Sequence, residues 1–204
     1  ISISCFAGSG LVETLGKGQI KITELKFGDF VKTFNQASKQ VEYSKFIDYL
    51  HFDRMAQAEF LTIKTASSNL KISPKHLIQR QSNENQQHEF VFASDLEISD
   101  KIFVLDSESN EMNVEEVKEI ERTSENGVFA PLTESGTLIV NNVLVSCYAN
   151  CYWHNLVHLA FEPLRLYHKL FTANEMPREN FFHGYVDLAL KLIGYSPIAS
   201  MIKS

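Results

Sequence analysis

Two stretches decide the fold: Ile22-Thr23-Glu24-Leu25-Lys26-Phe27-Gly28-Asp29-Phe30-Val31 and Ala93-Ser94-Asp95-Leu96-Glu97-Ile98-Ser99-Asp100-Lys101-Ile102. They match in pattern. Each runs on into a strand, a polar loop and a second strand, from Val31 to Ile47 in one copy and from Ile102 to Ile120 in the other. Such a repeat points to two similar β subdomains related by approximate two-fold symmetry. The plainer account is a chance likeness between two hairpins.

Outward from the first copy, Leu11 to Leu15 and Gln19 to Ile22 read as short strands around a Gly16-Lys17-Gly18 turn, the second with the period of two that a half-buried strand shows. Phe30 to Phe34 and Val41 to Ile47 flank the polar loop Asn35 to Gln40 as a hairpin. Between the copies lie Phe60 to Lys64, a turn at Ser67-Ser68-Asn69, and Leu70 to Ile78 with Pro74 inside it. Proline excludes a helix there and pushes the preceding residue into an extended conformation, so Ser73 and His76 fall at a strand end where side chains can face a site. Gln79 to Glu89 is polar and reads as a surface loop or disorder. Gly136 to Ser146 reads as a final hairpin with a tight Asn141-Asn142 turn, ending at Cys147-Tyr148-Ala149.

From about residue 150 the period changes. Trp153, Leu156, Val157, Ala160 and Phe161 recur at helical spacing, and Leu164, Tyr167, His168 and Phe171 follow Pro163. After a polar linker, Phe181, Phe182, Tyr185, Val186, Leu188, Ala189, Leu192 and Ile193 make a second helical stripe. Such stripes are usually packing faces; gathered in an appended tail, they also suit an apolar ligand or a membrane surface.

The chain has 204 residues, 44% hydrophobic and 22% charged, enough for one domain with an appendage. A formal charge of -6 argues against a nucleic-acid partner, whose binding needs clustered Lys and Arg. Three cysteines, Cys5, Cys147 and Cys151, are too few for a disulfide framework, and no histidine pair stands at zinc-finger spacing, so no metal is expected. No apolar run reaches the ~18 residues that cross a bilayer, and the start does not resemble a signal peptide. The chain reads as soluble and as a fragment of a longer precursor whose targeting signal lies upstream.

The run Ile1-Ser2-Ile3-Ser4 is too short to be an element and leads into Cys5-Phe6-Ala7-Gly8. Cys5 is either a plain buried thiol or a nucleophile aimed at the carbonyl carbon of Ser4, one peptide bond upstream. An internal acyl shift requires an activated thiol, a protonated leaving nitrogen and a peptide held in a polarised geometry.

The residues Cys5-Phe6, Phe52-Asp53-Arg54, Ser73-Pro74-Lys75-His76, Phe92-Ala93, Ala130-Pro131-Leu132-Thr133 with Gly136-Thr137, Ser146-Cys147-Tyr148-Ala149 and His158-x-x-Phe161-x-Pro163-x-Arg165-Leu166 together resemble the C-terminal autoprocessing (Hog) domain of the hedgehog family, which shares the Hint fold with inteins. The resemblance implies a mainly β Hint fold with duplicated pseudo-two-fold subdomains over 5–150. It also implies a helical sterol-recognition region over 151–204 and the end of an upstream signalling segment at 1–4. The implied chemistry is a thioester at Cys5, then transfer of the upstream polypeptide to the 3β-hydroxyl of cholesterol or another sterol, with no cofactor. His76 would protonate the leaving nitrogen, Ser73 would donate a hydrogen bond orienting the Ser4–Cys5 amide, and Asp53 would serve as base or acceptor for the sterol hydroxyl. Cys147 is a possible auxiliary group. Trp153, Leu156, Phe161, Leu164, Tyr167, Phe181, Tyr185 and Leu188 are sterol-binding candidates. The implied setting is the secretory pathway, in the endoplasmic reticulum lumen, for the precursor of a secreted protein, with membrane contact through the C-terminal region.

Each assignment has a plain alternative: a structural His76, a solvated Asp53–Arg54 pair, and a Ser73 that only starts a turn. This chain has Ser73 where the family usually has threonine, and Ser4 where it usually has glycine; both bear on rate and ester yield more than on reaction type. Two other functions fit the same residues. Intein-like splicing would use Asn150-Cys151, although Ala149 stands where inteins usually carry histidine. An inactive lipid-binding module would need none of Cys5, His76 and Asp53.

Overall fold

The computed structural model describes residues 5–82 and 87–149. The expected helices after residue 150, with every sterol-binding candidate, and the segment 1–4 with Ser4 lie outside the described residues.

The repeat is real, and its hydrogen bonds show why the two stretches look alike. Each copy opens with a 3-10 turn, Ile22–Glu24 and Ala93–Asp95. Each then buries a leucine, Leu25 or Leu96. Asp29 Oδ2 accepts from Lys26 N (3.0 Å) and Asp100 Oδ2 accepts from Glu97 N (2.9 Å). The residue before each aspartate takes a left-handed conformation, Gly28 at φ 86° and Ser99 at φ 76°. That residue and its aspartate bond both ways to a later residue, Phe46 in the strand Gln40–Lys64 in one copy and Val117, just past the strand Glu111–Glu116, in the other. An aspartate acceptor paired with a left-handed residue is thus the physical content of the sequence match.

The hairpins that follow also correspond. β4 (Phe30–Asn35) pairs with the start of β5 (Gln40–Lys64), and β9 (Lys101–Asp106) pairs with β10 (Glu111–Glu116). Their loops are closed by Asn35 Oδ1 accepting from Ala37 and Ser38, and by Asp106 Oδ1 accepting from Glu108 and Ser109. Each loop ends on a left-handed residue, Lys39 (φ 58°) or Asn110 (φ 57°).

The largest departure from the sequence reading is the length of two strands. Val41–Ile47 and Phe60–Lys64 are the ends of one continuous strand, β5, and β11 (Glu119–Thr133) is its antiparallel partner. Their shared middle carries Asp53, Arg54, Gln57 and Glu59 opposite Ser124, Glu125 and Asn126, and much of it is exposed or half-exposed. A ribbon whose inner face carries mostly alanines and half-buried polar residues leaves little apolar alternation to announce it. A second correction concerns Gln79 to Glu89: β7 (His76–Gln81) and β8 (His88–Phe92) pair there. The polar composition hid a strand because Gln79 is buried among the core residues and Arg80 is tied to Glu89 (2.7 Å) and Asp100 (3.1 Å).

Two sheets result. The first has the order β11-β1-β6-β5-β4-β2-β3, with β11 also pairing β5, so β1 (Phe6–Ala7) and β6 (Asn69–Ile72) are enclosed between the long strands. β2 (Leu11–Thr14) and β3 (Gly18–Lys21) form the edge hairpin. The second sheet runs β10-β9-β13-β7-β8, with β12 (Thr137–Val140) on β13 (Val143–Ala149). The turn between β12 and β13 holds Asn141 (φ 47°) and Asn142 (φ 66°), as a two-residue type I′ hairpin requires. Asn141 also links the sheets: its Oδ1 accepts from Leu11 N (2.7 Å) and its Nδ2 donates to Asn69 O (2.6 Å).

Two stability outcomes follow from these backbone positions. Ser99→Gly should raise stability by about 1 kcal/mol, because glycine occupies the equivalent left-handed position in the first copy and an L side chain is disfavoured there. Asn141→Ala should cost about 2–3 kcal/mol, from two lost side-chain bonds and a left-handed alanine. Urea midpoints at constant m-value measure both.

Candidate active site

Cys5 reaches its place because β1 is too short to stand alone and is held on both edges: Phe6 pairs with Phe129 of β11 and with Ile72 of β6. That register sets Cys5 opposite Ser73, the residue after β6. The two exchange hydrogen bonds. Cys5 N–H donates to Ser73 Oγ at 2.7 Å, and Ser73 N–H donates to Cys5 O at 2.9 Å. The nitrogen in the first bond is that of the Ser4–Cys5 peptide. A serine hydroxyl therefore touches the amide that an internal acyl shift would break. Toward this nitrogen Ser73 is the acceptor; the Ser4 carbonyl, to which its own hydroxyl would donate, lies outside the described residues.

Pro74 keeps the chain after Ser73 from becoming a helix. A tight turn forms instead, in which His76 N–H donates to Ser73 O (3.0 Å) and Ser94 N–H donates to Pro74 O (2.8 Å). This delivers His76 to the start of β7 with its side chain fully buried, the ring tilted at 54° against Phe6 with centroids 4.3 Å apart. His76 Nε2 lies 2.8 Å from the carbonyl oxygen of Ser146 in β13. A carbonyl can only accept, so Nε2 carries the proton and Nδ1 the lone pair of the neutral ring.

Cys5 is fully buried in a cluster with Ala7, Phe60, Val128 and Ala130. Burial pushes its thiol up to about 12. At pH 7 such a group is overwhelmingly the neutral thiol, so a nucleophilic role would require its proton to be taken as it attacks.

Asp53 lies apart from these three. It pairs with Val128, whose other neighbour in the sheet is Ala7. Its Oδ1 accepts from Met55 N (2.8 Å) and Ala56 N (3.0 Å), and these backbone bonds hold the carboxyl below its ordinary range. Ala56 in turn packs on the Cys5 cluster. Asp53 thus reaches the thiol's surroundings through one backbone link. The structure therefore brings Cys5, Ser73 and His76 together and leaves Asp53 at the neighbouring bulge.

Cys147 is buried and follows the residue whose carbonyl His76 engages. Its Sγ is 3.3 Å from Thr133 Oγ1. Three participants escaped the sequence reading. The Ser146 carbonyl has no residue-type signature, the Phe6 ring read only as an apolar neighbour of Cys5, and Thr133 appeared within a motif without a role.

A family model described as Hint module matches residues 2–195. The Tiggy-winkle hedgehog protein of Danio rerio is 37% identical over 195 residues, covering 90% of this chain and 46% of that protein. Protein hedgehog of Drosophila yakuba is 35% identical over 144 residues, covering 70% of this chain and 31% of that protein. The chain spans less than half the length of these relatives. A DnaB intein from Synechocystis superposes with a TM-score of 0.59 at 14% identity, over 73% of this chain and 100% of the intein, which is a likeness of fold. With the family model covering nearly the whole chain, and with the short β1 strand, the buried cysteine before it and the serine and histidine of the 73–76 turn in place, the chain belongs to the Hint module family and is a Hint domain of the hedgehog type.

Proposed function

We propose that this chain cleaves itself at the Ser4–Cys5 bond through an internal thioester and passes the upstream polypeptide to the hydroxyl of a sterol. The observation that carries the reading is the 2.7 Å bond from Cys5 N–H to Ser73 Oγ, with His76 held by a tautomer-selecting bond one turn away. It joins the hedgehog likeness to a polar contact on the one amide nitrogen that must leave.

In the first step Cys5 Sγ attacks the carbonyl carbon of Ser4. A carbon–sulfur bond forms, the carbon–nitrogen bond breaks, and the proton lost by sulfur matches the one gained by the leaving nitrogen. His76 takes the thiol's proton on the Nδ1 lone pair and passes it to the leaving nitrogen, so its own state is unchanged at the end. Ser73 keeps the amide fixed while its nitrogen changes from planar to pyramidal. In the second step the sterol oxygen attacks the thioester, and the hydroxyl proton ends on Cys5 Sγ. Asp53 accepts the hydrogen bond of that hydroxyl. Its depressed pKa makes it a weak base, which favours the acceptor role over proton storage. Residues 5–150 form the Hint unit of this scheme. The apolar residues from Trp153 to Leu188 supply the sterol contact, since burying apolar surface yields roughly 25 cal/mol per Å². The setting is the secretory pathway, with the endoplasmic reticulum lumen as the site of reaction and the membrane as the source of sterol.

Cys5→Ala should abolish cleavage by both dithiothreitol and cholesterol, and His76→Ala should slow thioester formation by at least about 100-fold. Gel and mass analysis of a precursor given each nucleophile separately reads both. Joining of residues 1–4 to residues 151–204 would reveal splicing instead, and absence of a hydroxylamine-sensitive thioester in the unaltered chain would favour an inactive lipid-binding module.

Asp53→Ala and truncation after Cys151 should each spare dithiothreitol cleavage while reducing cholesterol cleavage by about 100-fold. Asp53→Asn separates two roles. It keeps Oδ1 for the Met55 and Ala56 amides but removes the charge, so it should match the alanine variant if the carboxylate serves the sterol hydroxyl. Full cholesterol cleavage in Asp53→Asn would assign the side chain to the bulge alone.

A further inference from the structure

We propose that the turn Thr133–Thr137 sets the ring tautomer of His76, with Thr133 as a positioning residue that acts through Cys147. The inference rests on the reading of His76 as the proton donor of the acyl shift. Its geometrical part stands on hydrogen bonds alone.

Thr133 ends β11 with its side chain fully buried, as are those of Ser146 and His76. Thr133 Oγ1 donates to the carbonyl of Thr137 at 2.8 Å. That bond uses the hydroxyl proton, so the 3.3 Å contact with Cys147 Sγ takes the thiol as donor. Ser135 Oγ also lies 3.2 Å from Thr133 Oγ1 and donates to Thr137 O at 3.1 Å. On the backbone, Cys147 N–H donates to Gly136 O at 2.8 Å. The turn therefore grips Cys147 twice, by its thiol and by its amide.

The grip reaches His76 through one peptide plane. The Cys147 N–H and the Ser146 C=O belong to the same peptide group, which is planar and trans, so they point in opposite directions. With the N–H fixed on Gly136, the C=O is aimed the other way, at His76 Nε2, 2.8 Å distant. An aimed carbonyl selects the Nε2–H tautomer. The lone pair then sits on Nδ1, and an imidazole with the other tautomer would present a hydrogen there instead. Because the ring is fully buried, water cannot replace a lost carbonyl acceptor at no cost. Loosening the turn therefore frees the ring to populate both tautomers.

The test compares Thr133→Val, of similar shape without the hydroxyl, with Thr133→Ser, which restores it, in the full chain with its upstream segment. Long-range nitrogen–proton NMR spectra of the His76 ring report the tautomer, and dithiothreitol cleavage reports the acyl shift. Thr133→Val should show a mixture of tautomers and cleavage slowed by about tenfold, and Thr133→Ser should return both to the parent values. A folded Thr133→Val chain with the Nε2–H tautomer alone overturns the proposal, whatever its rate. Should Thr133→Val fail to fold, Cys147→Ala removes the thiol limb while leaving the Thr133–Thr137 bond. A mixed ring spectrum there supports the proposal, and a single Nε2–H tautomer overturns it. If the parent chain forms no thioester while Thr133→Val still mixes tautomers, the positioning stands and the assigned chemistry fails.

Discussion

The antiparallel ladder between β5 and β11 is the constraint on which the site depends. It runs from Glu119↔Lys64 to Thr133↔Phe46 and joins the strand that follows the first repeat to the strand that follows the second. β1 hangs from β11 and β6 hangs from β5, and the two meet at Phe6↔Ile72. Cys5 and Ser73 are the residues just beyond those short strands. Their contact, across most of a sequence repeat, exists because the long strands are paired in this register. A shift by one residue would turn every side chain of β11 to its other face and remove the cluster around Cys5.

The polar groups around the Cys5 nitrogen lie in the core, and each choice there has an electrostatic reason. Cys5, Ser73, His76, Ser146 and Thr133 are all buried, none as a charged partner of another. Hydroxyls, carbonyls and amides satisfy one another, which a low-dielectric interior favours over paired ions. The same burial raises the thiol, so in the proposed reaction sulfur would lose its proton as it bonds to carbon rather than act as a free thiolate. Asp53 shows the opposite environment. It is held by two backbone amides at a bulge and remains ionised.

Some of this was legible in residue types. The repeat, its two hairpins, the Asn141-Asn142 turn and the non-helical Ser73–His76 segment each rest on local chemistry: an aspartate acceptor, a left-handed residue, a proline. Those interactions span a few residues, so they leave a pattern. Cys5, Ser73 and His76 were recognisable as a set, but the donor at the Ser73 contact was not. The length of β5 and β11 left little pattern, because a ribbon so thinly buried tolerates Asp53, Gln57, Ser124 and Asn126 with little apolar alternation. Gln79 misled for the converse reason, being a polar residue that is buried.

By itself, then, the sequence determined that the chain holds two copies of a β unit and a cysteine, a serine and a histidine suited to acyl transfer. Tertiary structure alone decided which nitrogen Ser73 touches, which ring nitrogen of His76 holds its proton, and that Asp53 stands one backbone link away. The physical reason is that these are matters of direction. A hydrogen bond is set by where a carbonyl or hydroxyl points, and the Ser146 carbonyl points at His76 only because Gly136, ten residues earlier in the chain by the route of a hairpin, holds the other side of its peptide.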